Sequence, residues 1–183
     1  AAETFYVLNQ VAEYYLSVGG PAGDLGWPME NSKCTAAGCQ QRFDGGYLIS
    51  DSEGSFRVLT GDIGDSVEGE NGVKGPWGLP TADAAPVDGG DYGTGRSQAF
   101  ENGIVYEYND ESYLVTPTML TFLNKAGGIK SLGWPLEEQI VLSGVTSQLF
   151  SAGRFVIVDS KKAVLIRESS LQAFNKAGGF SGF

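Results

Sequence analysis

One short signature, written three times, constrains this chain more than any other feature. Leu25-Gly26-Trp27-Pro28 returns as Trp77-Gly78-Leu79-Pro80 and again as Leu132-Gly133-Trp134-Pro135, with steps of 52 and 55 residues between the glycines. Each copy is followed by Gln-x-Phe, at Gln41-Arg42-Phe43, Gln98-Ala99-Phe100 and Gln148-Leu149-Phe150. A glycine stands three residues past each Phe, at Gly46, Gly103 and Gly153. Paired glycines or a near equivalent precede each copy, at Gly19-Gly20, Asn71-Gly72 and Gly127-Gly128, and a fourth pair is Gly178-Gly179. Ordered signatures at one period imply like units, each with too little core to stand alone and each buried against its neighbours.

Alignment on the paired glycines exposes the unit. An extended stretch rich in β-branched and aromatic residues comes first: Thr4–Leu8, Ser55–Leu59, Ser112–Val115 and Lys162–Ile166. A helix follows at 9–18, 60–70, 116–126 and 168–177. Good N-cap residue types open most of these helices, and glycine closes them. The pairs Val11/Tyr15, Ile63/Val67, Met119/Leu123 and Ser170/Phe174 fall at i, i+4 and predict the inward stripe. After the tetrapeptide comes a loop of variable length. The Gln-x-Phe strands are expected over 41–50, 98–108 and 148–159, and polar turns such as Asp51–Gly54 then make a hairpin with the next strand.

The expected architecture is therefore an α+β repeat protein. It has three to four helix–loop–β-hairpin units in a compact propeller-like or pyramidal pseudo-symmetric ring. A single domain spans 1–183, with units of roughly 1–54, 55–111 and 112–161 and a partial unit 162–183. The last residues read as a shortened tetrapeptide region, so the register offset lets the two ends close the ring or marks a fragment of a longer array.

Charge narrows the partners. With 12 basic and 22 acidic residues the net charge is −10, which disfavours phosphate backbones and anionic membranes. No apolar run is long enough for a membrane-spanning helix. Ala1-Ala2-Glu3 suits a mature terminus left by removal of a signal peptide. Cys34 and Cys39, in a turn of small residues and with no histidine to complete a zinc site, read as a short disulfide rather than free thiols. A disulfide implies an oxidising compartment.

These residues resemble the LGFP repeat, a motif of exported actinobacterial proteins and some fungal ones. Its pattern is Leu-Gly-aromatic-Pro, an acidic residue soon after, Gln-x-Phe-x-x-Gly, a valine strand and then Gly-Gly. Leu25–Pro28 and Leu132–Pro135 fit it closely. Trp77–Pro80 inverts the Leu and the aromatic but keeps Thr81 and Asp83, and the fourth copy stops before any Pro or Gln-x-Phe. The resemblance covers nearly the whole chain. It implies a secreted, non-catalytic module that needs no cofactor. Such a module, alone or linked covalently to a catalytic domain, holds an exported protein to arabinogalactan or peptidoglycan.

A saccharide site needs a flat apolar face for sugar C–H groups and polar partners for the hydroxyls. Trp27, Trp77 and Trp134 supply the face or else plug the repeat core. Asn31, Asp83 and Glu138, each three residues past a proline, accept from hydroxyls or else cap the loop. Gln41, Gln98 and Gln148 bind ligand or tie units together, and Tyr47, Tyr106 and Tyr108 are further stacking candidates. Several weak sites on one frame would gain avidity on a polymer.

Enzyme readings are weaker. Without histidine there is no Ser-His-Asp or Cys-His arrangement. A glycosidase carboxylate pair is compatible with the composition, but no singular pair stands out. Asp83, Asp88 and Asp91 miss the EF-hand spacing and read as a solvated loop. The expected function is carbohydrate binding at the cell wall, with a protein-binding surface platform as the alternative and a glycoside hydrolase as the second alternative.

Overall fold

A computed structural model of the chain describes residues 4–69, 75–142 and 144–178. The motif at Asn71-Gly72, the terminal residues 1–3 and the tail from Gly179 onward lie outside the described residues. Among the described residues, helices α1 (Asn9–Ser17), α2 (Gly61–Gly69), α3 (Pro117–Lys125) and α5 (Glu168–Lys176) form where the pattern predicts. A one-turn helix, α4 (Ile129–Leu132), adds to them. The inward stripe is real for the first three, since Val11, Tyr15, Ile63, Val67, Met119 and Leu123 are all buried.

The expected ring of helix–loop–hairpin units is overturned. The chain is mostly β, in three separate four-stranded antiparallel sheets. They are β1 (Lys33–Thr35), β2 (Gly38–Phe43), β3 (Gly46–Ser50) and β4 (Phe56–Thr60); β5 (Ala85–Asp88), β6 (Thr94–Phe100), β7 (Gly103–Tyr108) and β8 (Glu111–Val115); and β9 (Ile140–Leu142), β10 (Val145–Phe150), β11 (Gly153–Asp159) and β12 (Lys162–Arg167). Each sheet is a meander in chain order. Two local causes turn the expected hairpins into meanders. Each long Gln-x-Phe strand folds back on itself at a two-residue turn, so that Phe43 pairs with Gly46 and Phe150 with Gly153. A methyl group on Gly46, Gly103 or Gly153 would run into the carbonyl of Leu59, Val115 or Ile166, so only glycine lets the next strand lie this close. The variable loop then supplies a short edge strand (β1, β5 or β9). The stretch before α1, in contrast, joins no ladder: Tyr6 is held by loop residues instead, accepting from Ser32 N and donating to Asn31 Oδ1.

The described chain forms two compact units. One comprises 1–85 and 98–102, the other 86–97 and 103–183, so the division falls within β5 and β6. In the first, Val11, Tyr15, Leu25, Phe43, Leu48 and Phe56 form one core. In the second, Trp134 and Phe150 lie at the centre of another, with Met119, Leu123, Leu132 and Phe155.

The tetrapeptide and Gln-x-Phe are two halves of one clamp. Pro28, Pro80 and Pro135 each bridge antiparallel to Phe43, Phe100 and Phe150. In all three copies the residue before the proline accepts from the residue after the Phe: Asp44 N to Trp27 O at 2.8 Å, Glu101 N to Leu79 O at 3.0 Å and Ser151 N to Trp134 O at 3.0 Å. The tetrapeptide glycine takes φ of 66°, 73° and 74° in the three copies, a left-handed turn that other residues adopt only at a cost. The glutamine completes the clamp. Its Nε2 donates to the carbonyl two residues past the proline (Glu30, Ala82, Glu137) and to the preceding extended stretch (Tyr6, Val58, Leu114), all at 2.8–3.2 Å. The recurring residues thus build the fold.

Candidate functional site

Because the recurring residues are spent on folding, chemistry is sought where the copies differ. The first tetrapeptide position is buried in every copy, by Leu25, Trp77 and Leu132. The inverted order of copy two therefore leaves the backbone frame intact and puts the indole into the leucine pocket. There Trp77 meets the Phe100 ring edge-on at 5.4 Å, with its indole nitrogen buried and unpartnered among the described residues. The third position separates the copies sharply. Trp27 is 67% exposed, Leu79 half-buried and Trp134 0% exposed. Trp134 stacks on Tyr108 with centroids 5.0 Å apart and planes 11° from parallel, and its Nε1 donates to Tyr92 O at 2.8 Å. Gly89 and Gly95 press against the indole, where any side chain would collide.

Trp27 is therefore the one of the three indoles with an open face. Its backbone is fixed by the clamp, which holds the ring out on a rigid loop. The antiparallel register sets Asp44 opposite Trp27 and Arg42 opposite Met29. Asp44 and Met29 are exposed and Arg42 half-buried. The pairing puts an acidic and a basic residue on the same strand face as the indole. Sequence reasoning missed Arg42 and Asp44. Their signal was partial: a basic residue precedes the Phe only at Arg42, against Ala99 and Leu149, whereas the acid after it recurs as Glu101 and is replaced only by Ser151.

The other candidates are placed as follows. Gln41, Gln98 and Gln148 are fully enclosed, their amides engaged as above. Ser32 donates to the Gln41 carbonyl oxygen, whereas those of Gln98 and Gln148 have no partner among the described residues. Tyr47 and Tyr106 are buried, and Tyr106 lies edge-on to Trp134 at 6.3 Å. Asn31 is exposed but bonds the Tyr6 amide at 3.0 Å. Asp83 is exposed, 3.9 Å from Arg57 Nε, and joins a cluster with Tyr14. The Tyr14 hydroxyl has its pKa raised, mainly by burial and then by the Asp83 carboxylate. Tyr14 in turn stacks on Phe56 at 5.3 Å. Glu138 is exposed near Tyr113, whose phenol is pushed up to about 12 chiefly by its hydrogen bond to Glu111. Of the acidic loop, Asp88 is engaged by Lys130 at 2.6 Å, which, with the Gly90 amide, lowers its carboxyl pKa.

Cys34 and Cys39 are joined as a disulfide across the β1–β2 pair, directly opposite in register. No helix among the described residues is long and apolar enough to cross a membrane. Comparison with known protein families and with curated proteins finds no match.

Proposed function

We propose that the chain is a non-catalytic carbohydrate-binding module that attaches an exported protein to cell-wall polysaccharide, with Trp27 as its stacking plate. The observation that carries this reading is an indole 67% exposed on a loop pinned by backbone bonds. Burying an indole is strongly favourable, so a rigid exposed one stands ready to cover an apolar face. A pyranose fits, because its C–H groups pack on the ring while Asp44 accepts from hydroxyls and Arg42 donates to them. The resemblance to LGFP repeats supports arabinogalactan or peptidoglycan glycan as the polymer, and the disulfide accords with export. The Tyr14–Arg57–Asp83 cluster offers a second, weaker saccharide contact, which would add avidity on a repeating chain.

The test is retention of the purified protein on insoluble arabinogalactan–peptidoglycan, bare peptidoglycan, chitin and β-glucan. Trp27→Ala and Asp44→Ala run alongside. Retention on one polymer, competed by its soluble fragments and lost in Trp27→Ala, is the expected result. Equal retention of wild type and Trp27→Ala, or none on any polymer, would overturn the reading. In that case the exposed aliphatic edge of Ile140, Val141 and Leu142 favours a protein partner instead.

A further inference from the structure

The disulfide is asymmetric in its surroundings. Cys34 sits on the edge strand β1 and is exposed, whereas Cys39 on β2 is buried in the first unit's core. One side chain faces both sulfurs unequally. Gln10 on α1 sends its Nε2 to Cys39 Sγ at 2.9 Å and to Cys34 Sγ only at 3.5 Å. The Cys39 amide also donates to Ser50 Oγ at 2.9 Å, which fixes this residue's position. Beside the pair opens a polar cleft of about 300 Å³ lined in part by Gln10, Cys39, Asp51 and Glu53.

Disulfide exchange has a direction set by which sulfur can be reached and which leaves more readily as thiolate. An amide N–H bonds a full negative charge more strongly than a neutral sulfur, so Gln10 favours the state in which Cys39 is a thiolate. Exposure directs the incoming sulfur to Cys34, and the Gln10 amide offsets the desolvation that burial imposes on a departing Cys39 thiolate. We infer that Cys34–Cys39 is a thiol–disulfide exchange site for an external dithiol, with Cys34 taking the incoming sulfur and Cys39 departing onto the Gln10 amide. In the first step a thiolate of the dithiol attacks Cys34 Sγ. A new S–S bond forms as the Cys34–Cys39 bond breaks, and the electron pair leaves on Cys39 Sγ, which later takes a proton from water. The second thiolate of the dithiol then attacks its own sulfur in the mixed disulfide and expels Cys34. The protein ends with two thiols and the dithiol is oxidised.

Gln10 is exposed and contributes nothing to the core, so substitutions there keep the fold. That is checked by the circular dichroism and urea midpoint of the oxidised protein. The rate of reduction by dithiothreitol is compared for wild type, Gln10→Leu and Gln10→Glu. Gln10→Leu is expected to react about fivefold more slowly, the worth of one hydrogen bond, and Gln10→Glu more slowly still, because a carboxylate would face the departing thiolate. The mixed disulfide is trapped with glutathione, quenched with N-ethylmaleimide and mapped by mass. Glutathione on Cys34 with maleimide on Cys39 is the expected pattern. Equal rates in all three proteins, or glutathione on Cys39 with Cys34 alkylated, would overturn the inference.

Discussion

Copies one and three carry the same four residues, Leu-Gly-Trp-Pro, in the same clamp, yet one tryptophan is bathed in solvent and the other is sealed. The backbone does not make the difference: the glycines share a φ within 8° (66° and 74°), and both prolines bridge to their Phe. The cover does. Trp134 is enclosed by Gly89 and Tyr92 from the β5–β6 connection and by Gly95 and Tyr108 from the second sheet, whereas Trp27 has 67% of its surface open. An identical motif therefore becomes core or surface according to what its neighbour brings. The residues to suspect of function are those a repeat fails to repeat.

The largest effect that would test this contrast is Trp134→Ala. Removing a fully enclosed indole should cost about 4 kcal/mol, read from the urea midpoint; a loss under half of that would mean Trp134 is not the plug described here. Next comes its cover. In Gly95→Ala the new methyl would stand 2.9 Å from the indole and 2.5 Å from Glu107 O, so roughly 2 kcal/mol of stability should go, with Tyr108 displaced from the ring. Trp27→Ala should then move stability by no more than about 0.5 kcal/mol while abolishing polymer retention. A large loss of stability there would show that the indole is structural after all.

The smallest effect lies at the rim of copy three. Tyr113, held neutral up to about 12 mainly by Glu111, loses its proton near 10 when unfolded. Its folded pKa is the higher one. The stabilisation is thus complete below about pH 10 and is lost as pH rises from there through about 12. Ultraviolet titration of Glu111→Gln should return this phenol toward the ordinary tyrosine range; an unchanged titration would break the assignment.

How much of this was legible depends on the physical scale of each signal. The helices were, because a buried pair at i, i+4 and a closing glycine are local facts. The sheets were only half legible. Lys33-Cys34-Thr35 is too short and polar to announce β1, and the turn at Asp44-Gly45 hides inside a run that reads as one strand. The recurring glutamines suggested either ligand binding or ties between units; in the structure each amide bonds within its own copy, to the stretch before the helix and to the loop after the proline. Nothing in Leu-Gly-Trp-Pro could distinguish Trp27 from Trp134, since burial is decided by glycines some forty residues away in the chain. Arg42, and Asp44 only in part, were readable by asking which positions vary between copies.

The glutamine clamp also bears on the order of folding events. The meander strands meet within a few residues, but each amide closes a loop of 35, 40 or 34 residues to reach the preceding stretch. Loop closure depends only weakly on such lengths, so the three closures carry nearly equal entropic cost. They also come after the local hairpins, which form on a faster timescale. Interactions made late, beyond the transition state, act on the rate of unfolding and hardly on the rate of folding. Closures made that late would make the buried glutamines latches, setting how long each copy stays shut once the strands have found one another.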